Sequence, residues 1–379
     1  MMKTRRSNGD KIVVNANTKT KLPKERPMNN IKYIGMDVHM AMTVVAVLND
    51  LGKVVAEAII ETKGSTIVSF LKGLRGELHV TFEECTQAAW LYDLIRPQVA
   101  TVVVCNPKKI PIQETKADKI DARRLAELLR TNGLKAVYHG EHSTQAVKDL
   151  AQSYGAIVSD STRVRNRLKA LFRGRGIPCH GTSVYNKEER EQWLKQLDNA
   201  SARVRAGRIF RELDFLTELR EEAETEFIRE TRKHSAAKIL QSIPGIGPLR
   251  AGVILGFAVT PHRFRTRKQF WTYCGLAVTS KVTSEYAIIQ GQVRRSKQQP
   301  LVRGLNRNYN RSLKEVFKGA AATAAMGPWR SQFDAMVANG MRAPLALLTL
   351  ARKISSTTLT LWKKGEPYDE KKLKFMHAV

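Results

Sequence analysis

The segment from Ile31 to Arg130 combines short strand patterns with helical ones, and their order constrains the fold more than any other feature. Three strands are predicted in IKYIGMDV, TVVAVLND and KVVAEAII, with a turn at Leu51–Gly52. A helix over 65–74, a strand in ELHVTF, a helix over 88–95 and a buried strand in ATVVVCN follow, and the last helix is KIDARRLAELLR. The order βββ-α-β-α-β-α predicts a mixed sheet with helices on its faces.

This order of elements is that of the ribonuclease H-like fold, which we expect over residues 31–142. In such a sheet the first and fourth strands are neighbours, and the last helix lies across them. The expected fold class is therefore α/β for this domain, followed by an all-α remainder.

The rest of the chain divides by composition. Residues 1–30 read as a basic disordered arm, 143–237 as a helical coiled-coil linker, 238–325 as a second, mostly helical domain and 326–379 as a helical tail. The linker carries apolar residues at three- and four-residue steps, namely Ile209, Leu213, Leu216, Leu219, Ala223 and Phe227. That face suits either packing within the chain or oligomerisation.

The net positive charge of the chain limits the kinds of partner that it can bind. The chain has 64 Lys and Arg residues against 35 Asp and Glu, a net charge of +29 that calls for a polyanionic partner, either nucleic acid or an acidic membrane. No apolar run approaches the ~20 residues of a spanning helix, and no apolar signal segment follows the basic N-terminus. The four cysteines are too far apart for a zinc finger or a disulfide framework. We expect a cytoplasmic protein that binds nucleic acid and no membrane.

Carboxylates stand where strands end and where the last helix begins. Asp37 lies in or at the end of the first strand, Glu83 and Glu84 follow the fourth, and Asp118 and Asp121 open the helix three residues apart. The predicted strand order places the carboxylates of these two strands and of the helix at one end of the sheet. Clustered carboxylates need a cation, and their hard oxygens suit Mg²⁺ or Mn²⁺. Two such ions about 4 Å apart serve phosphodiester chemistry.

Each helix carboxylate also has a structural explanation. Asp118 suits a helix N-cap and Asp121 a favourable first-turn charge. Asp37 has no capping role within a strand, where a carboxylate is costly without a partner. The combined order of these acids favours a catalytic site.

A second candidate site is the loop in SIPGIGPLRA. Its glycines Gly245 and Gly247 lie between two prolines and two apolar helical runs, as in a helix-hairpin-helix, where glycine lets backbone N–H groups approach a phosphate. Such turns are also common for purely structural reasons. Further on, basic residues suited to phosphate contact cluster between short polar turns, namely Arg294, Arg295, Lys297, Arg303, Arg307 and Arg311. Phe264, Phe270, Trp271 and Tyr273 are expected to form a core rather than a base-stacking platform.

Several motifs in this order resemble the DEDD transposases of the insertion-sequence 110 family. They are Met36–Asp37–Val38, Glu84–Cys85–Thr86, Asn106–Pro107, residues 116–122 (KADKIDA), residues 243–247 (IPGIG) and Tyr273–Cys274–Gly275–Leu276. The resemblance covers nearly all of the chain from Ile31 to Ala325. It implies a RuvC-like domain, a coiled-coil linker and a C-terminal transposase domain with a nucleophilic serine. It also implies a structured bridge RNA, encoded by the element, that pairs with donor and target DNA.

The same resemblance implies the site residues. The acidic tetrad is Asp37, Glu84, Asp118 and Asp121, with Glu84 preferred to Glu83 because the family places its acid two residues before a threonine, here Thr86.

For the serine the resemblance implies Ser284, with Ser280 as the alternative. This chain departs from the family pattern here. It has Val278 where the family has proline, and Thr283–Ser284–Glu285 near the position of the family's Ser-Gly.

The resulting expectation is a mobile-element recombinase of a bacterium or archaeon that cleaves and exchanges DNA strands through Mg²⁺ and a covalent serine–DNA intermediate. We expect it to act as a homo-oligomer, either a dimer or a tetramer. A RuvC-like nuclease using the tetrad and water is one alternative, and a non-catalytic nucleic-acid-binding protein is the other.

Overall fold

The computed structural model describes residues 30–107, 118–139, 144–281, 286–295 and 302–370. The chain separates into two compact units, Met1–His139 and Gly140–Val379. The predicted N-terminal arm lies outside the described residues.

The first unit is built on one five-stranded mixed sheet. Its strands are β1 (Ile31–Val38), β2 (Met42–Asn49), β3 (Val54–Glu61), β4 (Glu77–Glu83) and β5 (Thr101–Cys105), in the order β3-β2-β1-β4-β5. β1 pairs antiparallel with β2 and parallel with β4, and β5 runs parallel to β4. The prediction that the first and fourth strands are neighbours is therefore confirmed.

Helices cover both faces of this sheet. α1 (Gly64–Lys72) and α2 (Ala88–Ile95) share a core with one face, which includes Ile34, Met36, Val45, Val80 and Phe82. α3 (Asp118–Arg130) packs on the opposite face, where Ala122 meets Val44 and Ala46. Strand residues of odd and even number face opposite sides, which explains this division.

Gly35 sets the distance between α3 and the sheet. A Cβ atom at this position would lie 2.1 Å from the backbone oxygen of Ala122 and 2.5 Å from the backbone nitrogen of Ala126. Only a glycine allows the helix backbone to approach the strand so closely. The start of α3 is thereby held beside the end of β1.

The second unit begins with two long helices. α4 (Gln145–Arg173) and α6 (Ala200–Arg232) pack against each other, with the short α5 (Arg190–Lys195) between them in sequence. Of the predicted linker face, Ile209, Leu213 and Phe227 are buried, and the other three residues are half-buried. That face therefore packs largely within the chain.

The remaining helices share one core with the near ends of α4 and α6. They are α7 (Ser235–Gln241), α8 (Pro248–Ala258), α9 (Arg267–Tyr273), α10 (Arg311–Ala325), α11 (Arg330–Ala338) and α12 (Ala343–Lys364). The core joins Val147 and Phe227 to Ile354 and Trp362 of α12. The linker helices and the predicted tail thus pack together with the 238–325 segment in a mostly helical unit.

Four short strands interrupt the helices between α9 and α10. β6 (Val278–Lys281) pairs with β9 (Val302–Leu305), and β7 (Tyr286–Ile289) pairs with β8 (Gln292–Arg295), forming two separate two-stranded sheets. These strands are not predicted by the sequence pattern. Within the described parts of the chain, no helix is long and apolar enough to cross a membrane.

Candidate active site

Asp37 lies near the end of β1, on the face that α3 covers. It follows Gly35 by two residues, so both point to the same side of the sheet. Its side chain is largely shielded, with 21% of its surface exposed, and Nε2 of His39 lies 3.2 Å from its Oδ2. The carboxylate that the sequence places inside a strand therefore has a nearby imidazole.

Glu83, the last residue of β4, stands beside Asp37 on this face. Gly35 is level with Thr81 in the parallel pair of β1 and β4, so Asp37 two residues further on is level with Glu83. Burial raises the pKa of Glu83, and the charges of Asp37 and Asp121 raise it further, while Arg124 lowers it. Three carboxylates from β1, β4 and α3 thus influence one another at one end of the sheet.

Glu84 has different partners. Its backbone N–H donates to the carbonyl of Cys105 at 2.9 Å, and its Oε2 lies 2.7 Å from Nε2 of His139. Its side chain is 40% exposed. The arrangement brings Glu83, rather than Glu84, together with Asp37 and Asp121, and the assignment of Glu84 to the tetrad stays a prediction.

Asp118 is the first residue of α3, and its side chain lies outside the described residues. Among the residues whose side chains are described, no three His, Cys, Asp or Glu groups are close enough together to hold a metal ion. The carboxylate oxygens of Asp37, Glu83 and Asp121 are nevertheless the type of ligand that a hard cation such as Mg²⁺ prefers.

Three groups around this cluster, His39, Arg124 and His139, were not predicted from the sequence. Arg124 follows Asp121 by three residues on α3, a spacing that could have indicated a shared helical face. Sequence spacing could not have indicated His139, because it lies 55 residues from Glu84. The chain brings the two together only after α3, where Ala136 pairs with Cys105 at the edge of the sheet. Cys105 adjoins the cluster as well, and burial, followed by the charge of Glu83, raises the pKa of its thiol to about 11.

In the second unit, the loop predicted to be of helix-hairpin-helix type lies between the helices α7 and α8. Gly245 has φ = +80°, and a Cβ there would lie 2.3 Å from the backbone oxygen of Ala320 in α10. A glycine is therefore required at position 245, both for the backbone conformation and for the packing against α10. Gly247, just before α8, has no such neighbour within 4 Å of the Cβ position. Gly247 is exposed and Gly245 is half-buried.

An open cavity of about 560 Å³ lies beside this loop, lined by residues 241–247 together with Arg250, Thr323, Pro328, Tyr368 and Glu370. Arg250 donates to the carbonyl of Gly245 at 2.6 Å and to the hydroxyl of Thr323 at 3.1 Å. Burial lowers its pKa. Arg250 is a cation at the loop that the sequence analysis did not identify.

The predicted phosphate-binding stretch is only partly described. Arg294 on β8, Arg307 and Arg311 are exposed, the last at the start of α10. Arg295 and Arg303 lie on β8 and β9, but their side chains are not among those described, and Lys297 lies outside the described residues.

The side chains of the two candidate nucleophiles, Ser284 and Ser280, are not among those described. Ser284 lies outside the described residues. Ser280 is in β6, paired with Arg303, and its side chain is not described. The choice between them stays a prediction.

The aromatic cluster of this region is a core, as the sequence analysis expected. Phe264 and Phe270 are buried with ring centroids 4.8 Å apart, and Phe317 of α10 packs edge-on to Phe270. Trp271 and Tyr273 pack against the same core. Their surfaces serve folding of the second unit rather than base stacking.

Comparison of the sequence with known protein families identifies the family of this chain. Residues 34–175 match the IS110 DEDD family model, described as a transposase, and residues 237–337 match the model of the transposase IS116/IS110/IS902 family. Together they cover more than half of the chain. This chain belongs to the IS110 family of transposases. The first match begins within β1 and includes the rest of the sheet and all the predicted carboxylates. The second includes the α7–α8 loop and both candidate serines.

Two curated transposases are similar to this IS110-family chain. The transposase for insertion sequence element IS1533 of Leptospira borgpetersenii is 30% identical over 174 residues, which cover 44% of this chain and 50% of the relative. The transposase for insertion sequence element IS1111A of Coxiella burnetii is 23% identical over 280 residues, covering 71% of this chain and 74% of the relative. The chain thus spans about half the length of the first relative and three quarters of the second.

Proposed function

We propose that this chain is the transposase of an insertion sequence and catalyses site-specific cleavage and rejoining of DNA. The observation that carries the proposal is the convergence of Asp37, Glu83 and Asp121 from three elements at one end of a sheet. Membership of the IS110 family supports it. The strand order β3-β2-β1-β4-β5 with α3 across β1 supports a RuvC-like ribonuclease H fold for the first unit.

The proposed cofactor is Mg²⁺, or Mn²⁺ in its place. Asp37, Asp118 and Asp121 would hold it together with Glu83 or Glu84. When bound, the cation polarises the scissile phosphate and stabilises the negative charge that develops on it. Arg124 offsets part of the carboxylate charge around Glu83. The chain's own contribution is to fix these oxygens on a rigid strand pair and a helix that Gly35 holds against it.

The proposed nucleophile is a serine, Ser284 or alternatively Ser280. Its Oγ attacks the scissile phosphorus and its proton passes to solvent, while the bond from phosphorus to one deoxyribose oxygen breaks and releases a hydroxyl. The phosphodiester then joins serine to DNA, which conserves the bond for attack by another DNA end. Because the chain departs from the family pattern around Val278, both serines are substituted in the adduct experiment below.

The proposed macromolecular partners are donor DNA, target DNA and a structured bridge RNA that pairs with both. The net charge of +29 supports a polyanionic partner, and the exposed Arg294, Arg307 and Arg311 and the open Gly247 offer phosphate contacts. Sequencing of RNA that copurifies with the expressed protein tests the guide. A structured RNA transcribed from beside the gene is expected, whereas unrelated cellular RNA alone would remove the guide from the proposal. The transposase is proposed to act as a homo-oligomer.

The deciding experiment is a denaturing gel of labelled DNA that contains the ends of the element carrying the gene, incubated with protein, copurified RNA and Mg²⁺. The wild-type protein should form a covalent protein–DNA adduct. Asp37→Asn should retain nucleic-acid binding and lose cleavage, since the amide keeps the volume but not the charge. Ser284→Ala should lose the adduct while its binding and the salt dependence of that binding persist.

Each other result assigns a different function. Loss of the adduct in Ser280→Ala but not in Ser284→Ala would identify Ser280 as the nucleophile. Cleavage without any adduct supports the RuvC-like nuclease that uses water, and binding without cleavage supports the non-catalytic protein. Near wild-type cleavage by Asp37→Asn would contradict the carboxylate site itself.

A further inference from the structure

The segment that follows α12 lies beside the loop between α7 and α8. α12 ends at Gly365, whose φ of +70° is the left-handed conformation that closes many helices. Residues 366–370 then read EPYDE, and we call this segment the acidic strap. Three of its five residues are carboxylates, in a chain whose net charge is +29. The strap is therefore a local concentration of negative charge.

Tyr368 anchors the acidic strap. Its backbone N–H donates to Oγ of Ser242, the residue after α7, at 2.8 Å. Its hydroxyl accepts from the indole N–H of the buried Trp329 at 3.1 Å, and its ring packs against the core of the second unit. These contacts fix the strap beside Ser242, although the two are 126 residues apart along the chain.

The acids of the strap lie close to the cavity that adjoins the loop. Tyr368 and Glu370 both line this cavity, as do Gly247 and Arg250, and Asp369 lies between the two strap residues. Asp369 and Glu370 are exposed to solvent. Carboxylates are thus held next to the loop that is proposed to contact a DNA phosphate.

We propose that the acidic strap is an autoinhibitory element that opposes the binding of DNA phosphate at the α7–α8 loop. A carboxylate and a phosphate are both anions, and both use N–H groups and cations as partners. The strap carboxylates therefore repel a phosphate that approaches the same loop. This inference rests on the loop contact of the proposed function and adds its regulation.

The strap acts mainly on weak binding that does not depend on sequence. A chain with a large positive charge binds any duplex through its phosphates. Repulsion at one of these contacts lowers the affinity for every duplex, and only a complex that makes further specific contacts compensates for it. Because the strap charges are exposed, salt screens the repulsion, and its effect is largest at low salt.

The test is fluorescence anisotropy of nucleic-acid-free protein with a labelled DNA duplex of mixed sequence, at low and at high salt. Asp369→Asn with Glu370→Gln removes two strap charges and keeps the anchor Tyr368. At low salt this strap variant should have a dissociation constant about fivefold lower than the wild type, the effect of removing two charges about 8 Å from a phosphate in water. At high salt the difference should fall below about twofold.

A matched variant controls for net charge. Asp50→Asn with Glu77→Gln makes the same change in charge on exposed residues of the first unit, at the end of the sheet opposite Asp37. This control should change the dissociation constant by less than about twofold.

A second variant tests whether the strap acts through the loop. Gly247 has a φ of −86°, which other residues adopt, and nothing lies within 4 Å of its Cβ position, so Gly247→Glu fits and places a carboxylate on the loop. Gly247→Glu should weaken binding of the duplex. The strap substitutions added to Gly247→Glu should then bring almost no gain in affinity, because the contact that they relieve is already lost. Circular dichroism checks that all variants remain folded.

Three results would overturn the proposal. They are a strap variant that binds the duplex no better than the wild type, an equal gain in the Asp50 and Glu77 control, and an undiminished gain in the Gly247→Glu background. If Gly247→Glu alone binds like the wild type, the loop contact fails and the strap proposal fails with it. The adduct experiment with Asp37→Asn and Ser284→Ala does not involve the strap, so it judges the proposed chemistry separately.

Discussion

At the scale of single residues, the position of a carboxylate within its strand decides what it can do. Glu83 is the last residue of β4 and Glu84 follows it, and successive residues of an extended chain face opposite sides. Glu83 meets the charges of Asp37 and Asp121, and Glu84 meets His139. The motif of the family favours Glu84 through its spacing to Thr86, while the geometry of the sheet favours Glu83, so the two criteria select different acids.

The two acids can be separated by matched substitutions. We expect Glu83→Gln to lower Mg²⁺-dependent DNA cleavage more than about 100-fold, the range seen when even indirect metal partners are removed. Glu84→Gln should have a smaller effect, since it loses a partly exposed contact with His139. The second measurement is the rise in thermal unfolding temperature on adding Mg²⁺, which should vanish only in Glu83→Gln. The reverse pattern would establish Glu84 as the ligand.

At the scale of elements, close packing of α3 on β1 positions the site. The distances at Gly35 leave no room for a methyl group against the backbone of Ala122 and Ala126. Displacing α3 would move Asp121 away from Asp37 and Glu83. The site therefore depends on a residue that carries no functional group.

Gly35→Ala should reduce the free energy of unfolding by about 1–3 kcal/mol, the usual range for overpacking, and should reduce cleavage as well. Gly155→Ala in α4 is the control, because nothing lies within 4 Å of its Cβ position. It should instead stabilise the helix by about 0.5–1 kcal/mol. Urea unfolding measures both variants. Equal stability of Gly35→Ala and the wild type would show that α3 can shift freely.

The ion pair between α5 and α6 makes the stability of the second unit depend on pH. Arg190 of α5 donates to both oxygens of Asp214 in α6 at 2.6 Å, and these hydrogen bonds hold the pKa of Asp214 below its usual 3.8. The pKa is lower in the folded state, so its stabilisation is complete above about pH 4 and is lost as pH falls through the folded pKa.

Asp214→Asn should therefore lower the free energy of unfolding by about 1–2 kcal/mol at pH 7, with the difference shrinking below about pH 4. Urea unfolding across this pH range measures it. Asp160→Asn, which breaks a more exposed pair with Arg163, should change stability by less than about 0.5 kcal/mol. A difference for Asp214→Asn that does not vary with pH would contradict the ion pair as its cause.

The sequence predicted the elements whose patterns are long or buried, and it missed those that depend on distant pairing. All five strands of the first sheet were found, because each combines an apolar face with clear turn residues. β6 to β9 were missed, since strands of four residues in two-stranded sheets lack enough periodicity. The carboxylate cluster was predictable from strand order, but the contacts of Glu84 with His139 and of Arg250 with the loop carbonyl required the folded chain.

At the scale of the whole molecule, we expect the excess of positive charge to set the strength of the proposed nucleic-acid binding. With a net charge of +29, this binding should depend steeply on salt, because each phosphate contact releases counterions. Only those cations that touch phosphate contribute to the slope. The exposed arginines between β8 and the start of α10 are the candidates that the structure describes best.

Replacing Arg294, Arg307 and Arg311 together by Gln should weaken nucleic-acid binding without regard to sequence. The slope of log K against log salt concentration should become shallower by about 2–3, close to one unit for each lost contact with duplex DNA. Fluorescence anisotropy over a salt series measures it. The exposed Lys53, Lys72 and Arg75, replaced in the same way, provide the matched loss of charge. An equal change of slope in both variants would mean that overall charge, not this stretch, sets the binding.

The core shared by α4, α6 and α12 has a consequence for how the protein is made. The indole of Trp271 donates to the carbonyl of Arg352 at 3.1 Å, and Arg352 in turn donates to the carbonyl of Leu276 at 2.7 Å. These contacts span 81 and 76 residues of chain. On the ribosome, the second unit therefore cannot close its core until α12 has emerged from the exit tunnel. Its long helices must wait for most of synthesis with apolar surface uncovered, and such nascent chains are the ones that chaperones bind.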